Sequence, residues 1–281
     1  MPFHNRSSVC VLSAILAMCC GCTMQQHTVY VPPKCTACGD VVFVADGAGN
    51  LGETSEAMQQ AIALNRAALS VERFDWSHGP FRVLTDQVGY RYAQEQGHRL
   101  AEQLVAWRAS CPKAHIHLLS HSAGATTILT AAAEAPPGTV DNIVLLSPSI
   151  SCDYDLRPAL RNINGYIDAF VSEEDRWALG LGIVLVGTAD RRLAPAAGRV
   201  GFRPIVETPD DTPLYAKLRV HPWDPVVAWT GNTGGHSGTY RVGYLRAYVV
   251  PLFVPGACQA ACQFRTDPLP EKEPRNTIGT S

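Results

Sequence analysis

The stretch "HLLSHSAGATTILTAAAE", from His117 to Glu134, decides how the rest of the chain reads. Its first apolar residues suit a short strand. Ser-His-Ser-Ala-Gly follows, and then an alanine-rich run suited to a helix. A chain that passes from strand to helix in so few residues has little room at the turn. The neighbours two before and two after Ser122 are Ser120 and Gly124, both small. The question is whether Ser122 is a nucleophile or only a small residue filling a tight turn.

Outward from that stretch, short apolar runs alternate with longer helical patterns. "VVFVA" (Val41–Ala45) reads as a buried strand. "TSEAMQQAIALNRAAL" reads as a helix with Thr54 as N-cap and Ala57, Ala61, Leu64 and Ala68 on one face. "SVERFDW" is a weaker strand. "RYAQEQGHRLAEQLVAWRA" is amphipathic, with Ala93, Gly97, Leu100, Ala101, Leu104 and Val105 along a stripe. "AHIHLLS" leads into the opening turn, and the helix after it stops at "APPG", where proline cannot continue it. "DNIVLLS" (Asp141–Ser147) and "NGYIDAFVS" (Asn164–Ser172) are further strands. Beyond an irregular Gly- and Pro-rich stretch from about Gly180 to Pro213, "LYAKLRV" reads as a late strand and "YRVGYLRAYVVPLF" as a closing helix cut by Pro251. This alternation predicts an α/β fold in one domain: a mostly parallel central sheet with helices on both faces.

Ser122 then sits where a nucleophile elbow would hold it, at the apex of a strand–turn–helix. A general base and an acid to orient it are sought further along the chain. Acids follow the strand in "AFVSEEDRWALG": Asp175 precedes an apolar run that can pack the loop, Glu174 is second, and Asp168, inside the strand, third. The glycines of "GNTGGHSGTYRVGY" let His236 reach back to the serine, and His221 in "LRVHPWDP" is its rival. His121, beside the serine, reads as a packing neighbour, because adjacent side chains on such a turn diverge. His115 and His117 share a strand face and read as satisfied core histidines rather than ligands. The Ala123 N–H after the serine and the Ala48 N–H in "VFVADGAGN" are the expected oxyanion donors. "GAGNLG" superficially fits Gly-x-Gly-x-x-Gly through Gly47, Gly49 and Gly52, but without an acidic residue in the usual place, unless Asp75 is taken for it, so no cofactor is expected.

The motifs "VADGAG", "LLSHSAGA", "FVSEED" and "GGHSG", in that order between Val41 and Phe253, resemble the α/β-hydrolase superfamily, of the exported, lipoprotein-like bacterial sort. The resemblance implies Ser122 as nucleophile, Asp175 as acid, His236 as base, Ala48 and Ala123 as oxyanion donors, and cleavage of an ester or amide, esterase- or lipase-like. Ser120 stands where the pattern has glycine. Asp46 stands where many relatives carry histidine, and a carboxylate pointing inward there would oppose a developing oxyanion. The roughly 60 residues between Asp175 and His236 imply an insertion that can serve as a lid. The competing expectation is a non-catalytic envelope lipoprotein that keeps the fold as a binding scaffold.

The two ends add location. Residues 1–22 read as a signal segment: Arg6, an apolar "VCVLSAILAMCCGC", then small residues. Cys22 after Gly21 fits a lipidation site best, ahead of Cys19 and Cys20, with residues 23–39 as a polar tether, 40–264 as the hydrolase domain and 265–281 as a loose tail. Lipid at Cys22 would anchor an exported protein to the membrane. "KCTACGD" and "ACQAAC" (Cys35, Cys38, Cys258, Cys262) bracket the domain, and disulfides clamping its ends are expected there in preference to zinc or a redox pair. At a net charge of −2 nothing suggests nucleic acid, and the expected partner is a small ester or lipid.

Overall fold

The computed structural model describes residues 38–176, 178–179 and 187–254. The signal segment with Cys22, most of the tether, Cys35, Cys258, Cys262 and the tail lie outside the described residues.

Six strands form one parallel sheet: β1 (Asp40–Ala45), β2 (Leu69–Arg73), β3 (Ile116–His121), β4 (Asn142–Leu146), β5 (Ile167–Val171) and β6 (Leu218–Pro222). Their order is β2-β1-β3-β4-β5-β6. β1 and β3–β5 are buried almost throughout, as their near-continuous Val/Ile/Leu runs require of a sheet covered on both faces. The chain winds one way from β1 to β2 and the other way from β3 onward. With right-handed crossovers this sets the helices on opposite faces. One face carries α1 (Glu53–Asn65), packed on the closing helix. The other carries α3 (Tyr90–Ser110), α4 (Gly124–Glu134) and α5 (Arg157–Asn162), with the short α2 (Val83–Val88) just before α3. The reversal falls between β1 and β3, and beyond the carboxyl ends of strands at such a switch point an open α/β sheet has its natural crevice.

The core differs from the sequence reading in instructive ways. α1 buries Ala57, Met58, Ala61 and Ile62, while Leu64 and Ala68 are exposed, because the helix ends at Asn65 and Leu69 already belongs to β2. Thr54 is not the N-cap. Gly52 takes that place at φ +82°, and the capping oxygens come from Asp46, at the end of β1. On α3, Val105 is exposed and Trp107 is buried instead, edge-on against Phe43 at 5.5 Å. The late strand begins only at Leu218, after a 3-10 turn over Tyr215–Lys217. Pro251 does not cut the closing helix, which runs as Val242–Tyr244, a π turn Leu245–Val249 and Val250–Phe253. The wide turn lets a new helical segment start with proline in its first turn, where its missing N–H costs nothing. Cys38 pairs with Cys111, joining the chain just ahead of β1 to the end of α3. The described cysteines therefore clamp the start of the domain to a helix rather than to its other end.

Candidate active site

Ser122 follows β3 and has φ +52°, left-handed backbone that only glycine adopts without strain. Hydrogen bonds hold it there. Its N–H donates to the Leu146 carbonyl at 3.0 Å, and its carbonyl accepts from Ser149 N–H at 3.2 Å and Ala125 N–H at 3.3 Å. The close approach of strand and helix is measurable at Gly124, where a Cβ would lie 2.5 Å from the Ala45 carbonyl oxygen and 2.7 Å from that of Asp46. Ser120 is tolerated two residues before the apex because Ala45 and Leu145 are its partners across the sheet, but its buried hydroxyl has no hydrogen-bond partner among the described residues.

Three predicted side chains meet. Ser122 Oγ lies 2.9 Å from His236 Nε2, and His236 Nδ1 lies 2.6 Å from Asp175 Oδ2. A carboxylate facing Nδ1 keeps the proton on that nitrogen, so Nε2 is left to accept from the serine hydroxyl. Asp175 is buried, and its other oxygen accepts from Leu179 N–H at 3.3 Å. Of the rival acids, Glu174 points outward to Arg176, and Asp168 is fully buried in β5 under Arg219 and His221. His221 is thereby bound to an aspartate at 2.6 Å, the same length as in the His236 pair, yet it does not line the Ser122 cleft.

The loop that carries His236 is built to hold it. Asn232 Oδ1 accepts from Gly234 N–H, the Asn232 carbonyl accepts from Trp223 Nε1, and the Thr239 and Ser147 hydroxyls meet at 3.2 Å. His121 does more than pack. Its Nε2 donates to the His236 carbonyl at 3.0 Å, and its ring lies 4.6 Å from that of His236 and 4.8 Å from Tyr240. Burial, and then His236 beside it, push the His121 imidazole down to about 3, so it stays neutral while it braces the loop. His117 is a core residue: it is buried, its ring lies 4.8 Å from that of Phe253, and burial pushes it down to about 4. His115, two residues earlier, is largely exposed.

Gly47 and Ala48 border the cleft beside Ser122, and Ala123 stands at the head of α4. The Asp46 carboxylate, at the border of the cleft, is taken up by the first turn of α1. Its Oδ1 accepts from the N–H groups of Thr54 at 2.7 Å and Ser55 at 3.0 Å, its Oδ2 accepts from the Ser55 hydroxyl at 2.8 Å, and Arg73 stands 3.7 Å off. Its charge is met by the positive end of α1. Asp86 braces the same loop from α2. Its carboxylate accepts from Gly49 N–H, His78 N–H and the His78 ring. Burial by itself would raise this carboxyl, but those donors, with the Ser77 hydroxyl, hold it below the usual range. Asp86 escapes the sequence reading, because a lone acid in a six-residue helix has no periodicity to mark it.

The cleft encloses about 350 Å³. Leu51, Val83, Leu84, Ala178 and Leu179 line much of it, and Leu51 and Leu84 are more than half exposed at its lip. Its polar points besides His121, Ser122 and His236 include Glu53, which accepts from the Tyr240 hydroxyl, and Gln87 and Ser149. Among the described residues no three His, Cys, Asp or Glu side chains converge to hold a metal ion, and no helix is long and apolar enough to cross a membrane.

No family model matches the chain, and no curated protein does. Among solved structures it is similar to a cutinase-like protein from Cryptococcus sp., at 14% identity over 76% of this chain and 96% of that one, with a TM-score of 0.36. The catalytic core of an acetyl xylan esterase from Trichoderma reesei is 12% identical over 74% and 98%, with a TM-score of 0.39. A Trichoderma reesei cutinase bound to a phosphonate inhibitor is 17% identical over 76% of each chain, with a TM-score of 0.34. Likenesses this distant leave the chemistry to be judged from the chain's own geometry.

Proposed function

We propose that the protein is a serine hydrolase that cleaves esters, or amides, by acyl transfer. The observation that carries this reading is the unbroken chain from Asp175 through His236 to Ser122, with the serine strained at the sheet's switch point. In the proposed mechanism His236 Nε2 takes the Ser122 proton as Oγ attacks the carbonyl carbon. The imidazolium so formed is stabilised by Asp175 and then hands its proton to the leaving group. The Ala123 and Ala48 N–H groups receive the oxyanion, helped by the positive end of the eleven-residue α4. Water, deprotonated by His236, then releases the acyl group and restores the serine. Asp46 and Ser120, the two departures that favoured a binding scaffold, do not obstruct this: one is turned to α1 and the other fits beside Ala45. The apolar lip suits an apolar acyl chain or lipid as substrate.

A fluorophosphonate probe tests the reading. It should label Ser122 in the parent and nothing in Ser122→Ala, and p-nitrophenyl ester turnover should fall by several powers of ten in that variant. His236→Ala should match it, since the two residues act as one unit, while His221→Ala should cost far less. An unlabelled parent without esterase activity would return the scaffold reading. Export with a lipid at Cys22 is proposed alongside. The Cys38–Cys111 disulfide supports an oxidising compartment, and mass spectrometry of the mature N-terminus tests the lipid.

A further inference from the structure

We infer that Glu53 is a specificity-determining residue, whose carboxylate in the cleft wall favours substrates that carry an ammonium group near the scissile bond. The inference rests on the hydrolase reading and deepens it by naming a substrate class: esters that join an apolar part to a cationic one.

Glu53 opens α1, directly after the loop that borders the oxyanion position, and it lines the cleft with Ser122 and His236. It is exposed, so its carboxylate is open to whatever enters. Its Oε2 accepts from the Tyr240 hydroxyl at 2.7 Å. That donor is neutral: burial first, and then the Glu53 carboxylate itself, push the tyrosine up to about 12. The hydroxyl therefore fixes the carboxylate without cancelling its charge. Tyr240 follows His236 by four residues and packs on His121 with 4.8 Å between rings. The charge thus rests on the same loop as the base.

The cleft holds no fixed cation to offset it. Among the described residues that line it there is no lysine or arginine. The other carboxylate in its wall, Asp46, is taken up by two N–H groups and a hydroxyl of α1. Arg73, at the same end of α1, is engaged with Asp46, Asp75 and the Asn50 carbonyl. Arg241 acts on Tyr240 from the next position but does not line the cleft. A charge in a cleft with low-dielectric walls is felt more strongly than one on an open surface, and Val83, Leu84 and Leu179 supply such walls. An apolar lip with one fixed negative charge fits an ammonium group and opposes a carboxylate.

Two isosteric pairs of substrates test this. Butyrylcholine is set against 3,3-dimethylbutyl butyrate, with the charge on the alcohol side. The p-nitrophenyl ester of 4-(trimethylammonio)butyrate is set against that of 5,5-dimethylhexanoate, with the charge on the acyl side. The ratio of kcat/KM within each pair is measured for the parent, Glu53→Gln and Glu53→Lys. Comparing that ratio between proteins cancels the intrinsic reactivity of the esters. For at least one pair, Glu53→Gln should lower the preference for the cationic ester by about fivefold or more, and Glu53→Lys should lower it further. Fluorophosphonate labelling of Ser122 reports that a variant is folded with its triad intact. Salt gives a readout that needs no variant: raising sodium chloride from about 20 mM to about 500 mM should lower the parental preference, because screening weakens an exposed charge. A smaller fall for both pairs in variants that still label, or a parental preference that salt leaves untouched, overturns the inference while the hydrolase reading stands. So does a parent that labels but turns over neither cationic ester. A parent that neither labels nor turns over any of the four esters overturns the hydrolase reading, and this inference with it.

Discussion

Ser122 is held at φ +52° by its neighbours' hydrogen bonds, and that strain is separable from its chemistry. Ser122→Ala and Ser122→Gly both lose the hydroxyl, but only glycine relaxes in left-handed backbone. Ser122→Gly should therefore be more stable than Ser122→Ala by about 1 kcal/mol in urea titrations, with both inactive. Equal stability would mean that the elbow stores no strain. Asp46 was legible as a charge in an awkward place, but which way its side chain turns depends on where α1 starts, and Thr54 is a misleading marker of that start. With three hydrogen bonds to a buried helix end, Asp46→Ala should lose about 2–3 kcal/mol, and Asp46→Asn less. His117 was legible as a core histidine and His121 as a packing neighbour, neither as a group without a charge. Their folded values, about 4 and about 3, lie below the ordinary 6.5, so the unfolded chain binds protons that the folded chain refuses. Stability is full above about 6.5 and is lost as the pH falls toward 4. For His117 alone the loss is of the order of 3 kcal/mol, since each tenfold change in proton affinity is worth about 1.4 kcal/mol. His117→Phe, beside Phe253, should flatten the fall in stability between pH 6.5 and 4; a variant as acid-sensitive as the parent would sink this account.

At the scale of elements, strand β3, the elbow and helix α4 work only if two backbones nearly touch. Gly124→Val would put its side chain into the Ala45 and Asp46 carbonyls, backbone atoms that cannot step aside. The variant should express poorly or melt far below the parent, and whatever folds should not react with a fluorophosphonate. Parental stability and labelling in that variant would show that strand and helix can part without harm. This unit was the most legible part of the chain, because strand, small residues and helix all lie within one short window. The acid and the base were legible by order along the chain, yet not by type. Asp168 with His221 is as short a pair as Asp175 with His236. What separates them is the serine, 53 residues before one acid and 46 before the other, and only the sheet decides which acid it faces. The elements that escaped the reading are short ones without a repeat, among them α2, where Asp86 holds the Gly49 loop, α5, and the π turn that absorbs Pro251.

For the whole molecule, the alternation of apolar runs and helices carried the parallel sheet and its two helical faces. The strand order then follows from right-handed crossovers and one reversal. Cysteine pairing could not be reached that way. Spacing shows which cysteines are near in sequence, whereas a disulfide reports which are near in space, and Cys38 meets Cys111 from 73 residues away at a Cα–Cα distance of 5.4 Å. This bond ties the approach to β1 to the end of α3, the longest helix among the described residues, and it closes a loop that includes β1, α1, β2, α2 and α3. On the chain-entropy account, a closure of that length stabilises the fold by about 4 kcal/mol. For a domain of this size that corresponds to a fall of roughly 8–16 °C in Tm when the bond is lost. The double variant Cys38→Ser/Cys111→Ser removes it without leaving either partner as an unpaired thiol. The bond sits at the amino end of β1, while Ser122, the loop after β1 and His236 gather at the carboxyl ends of the strands. The variant should therefore keep parental ester turnover at low temperature and lose it on warming. The parent treated with a reductant should converge on the variant's unfolding curve. An unchanged Tm in the variant would show that the packing of β1 against β2 and β3 already holds this end of the sheet. A loss of turnover at low temperature, with folding intact, would show that the two ends of the sheet are coupled.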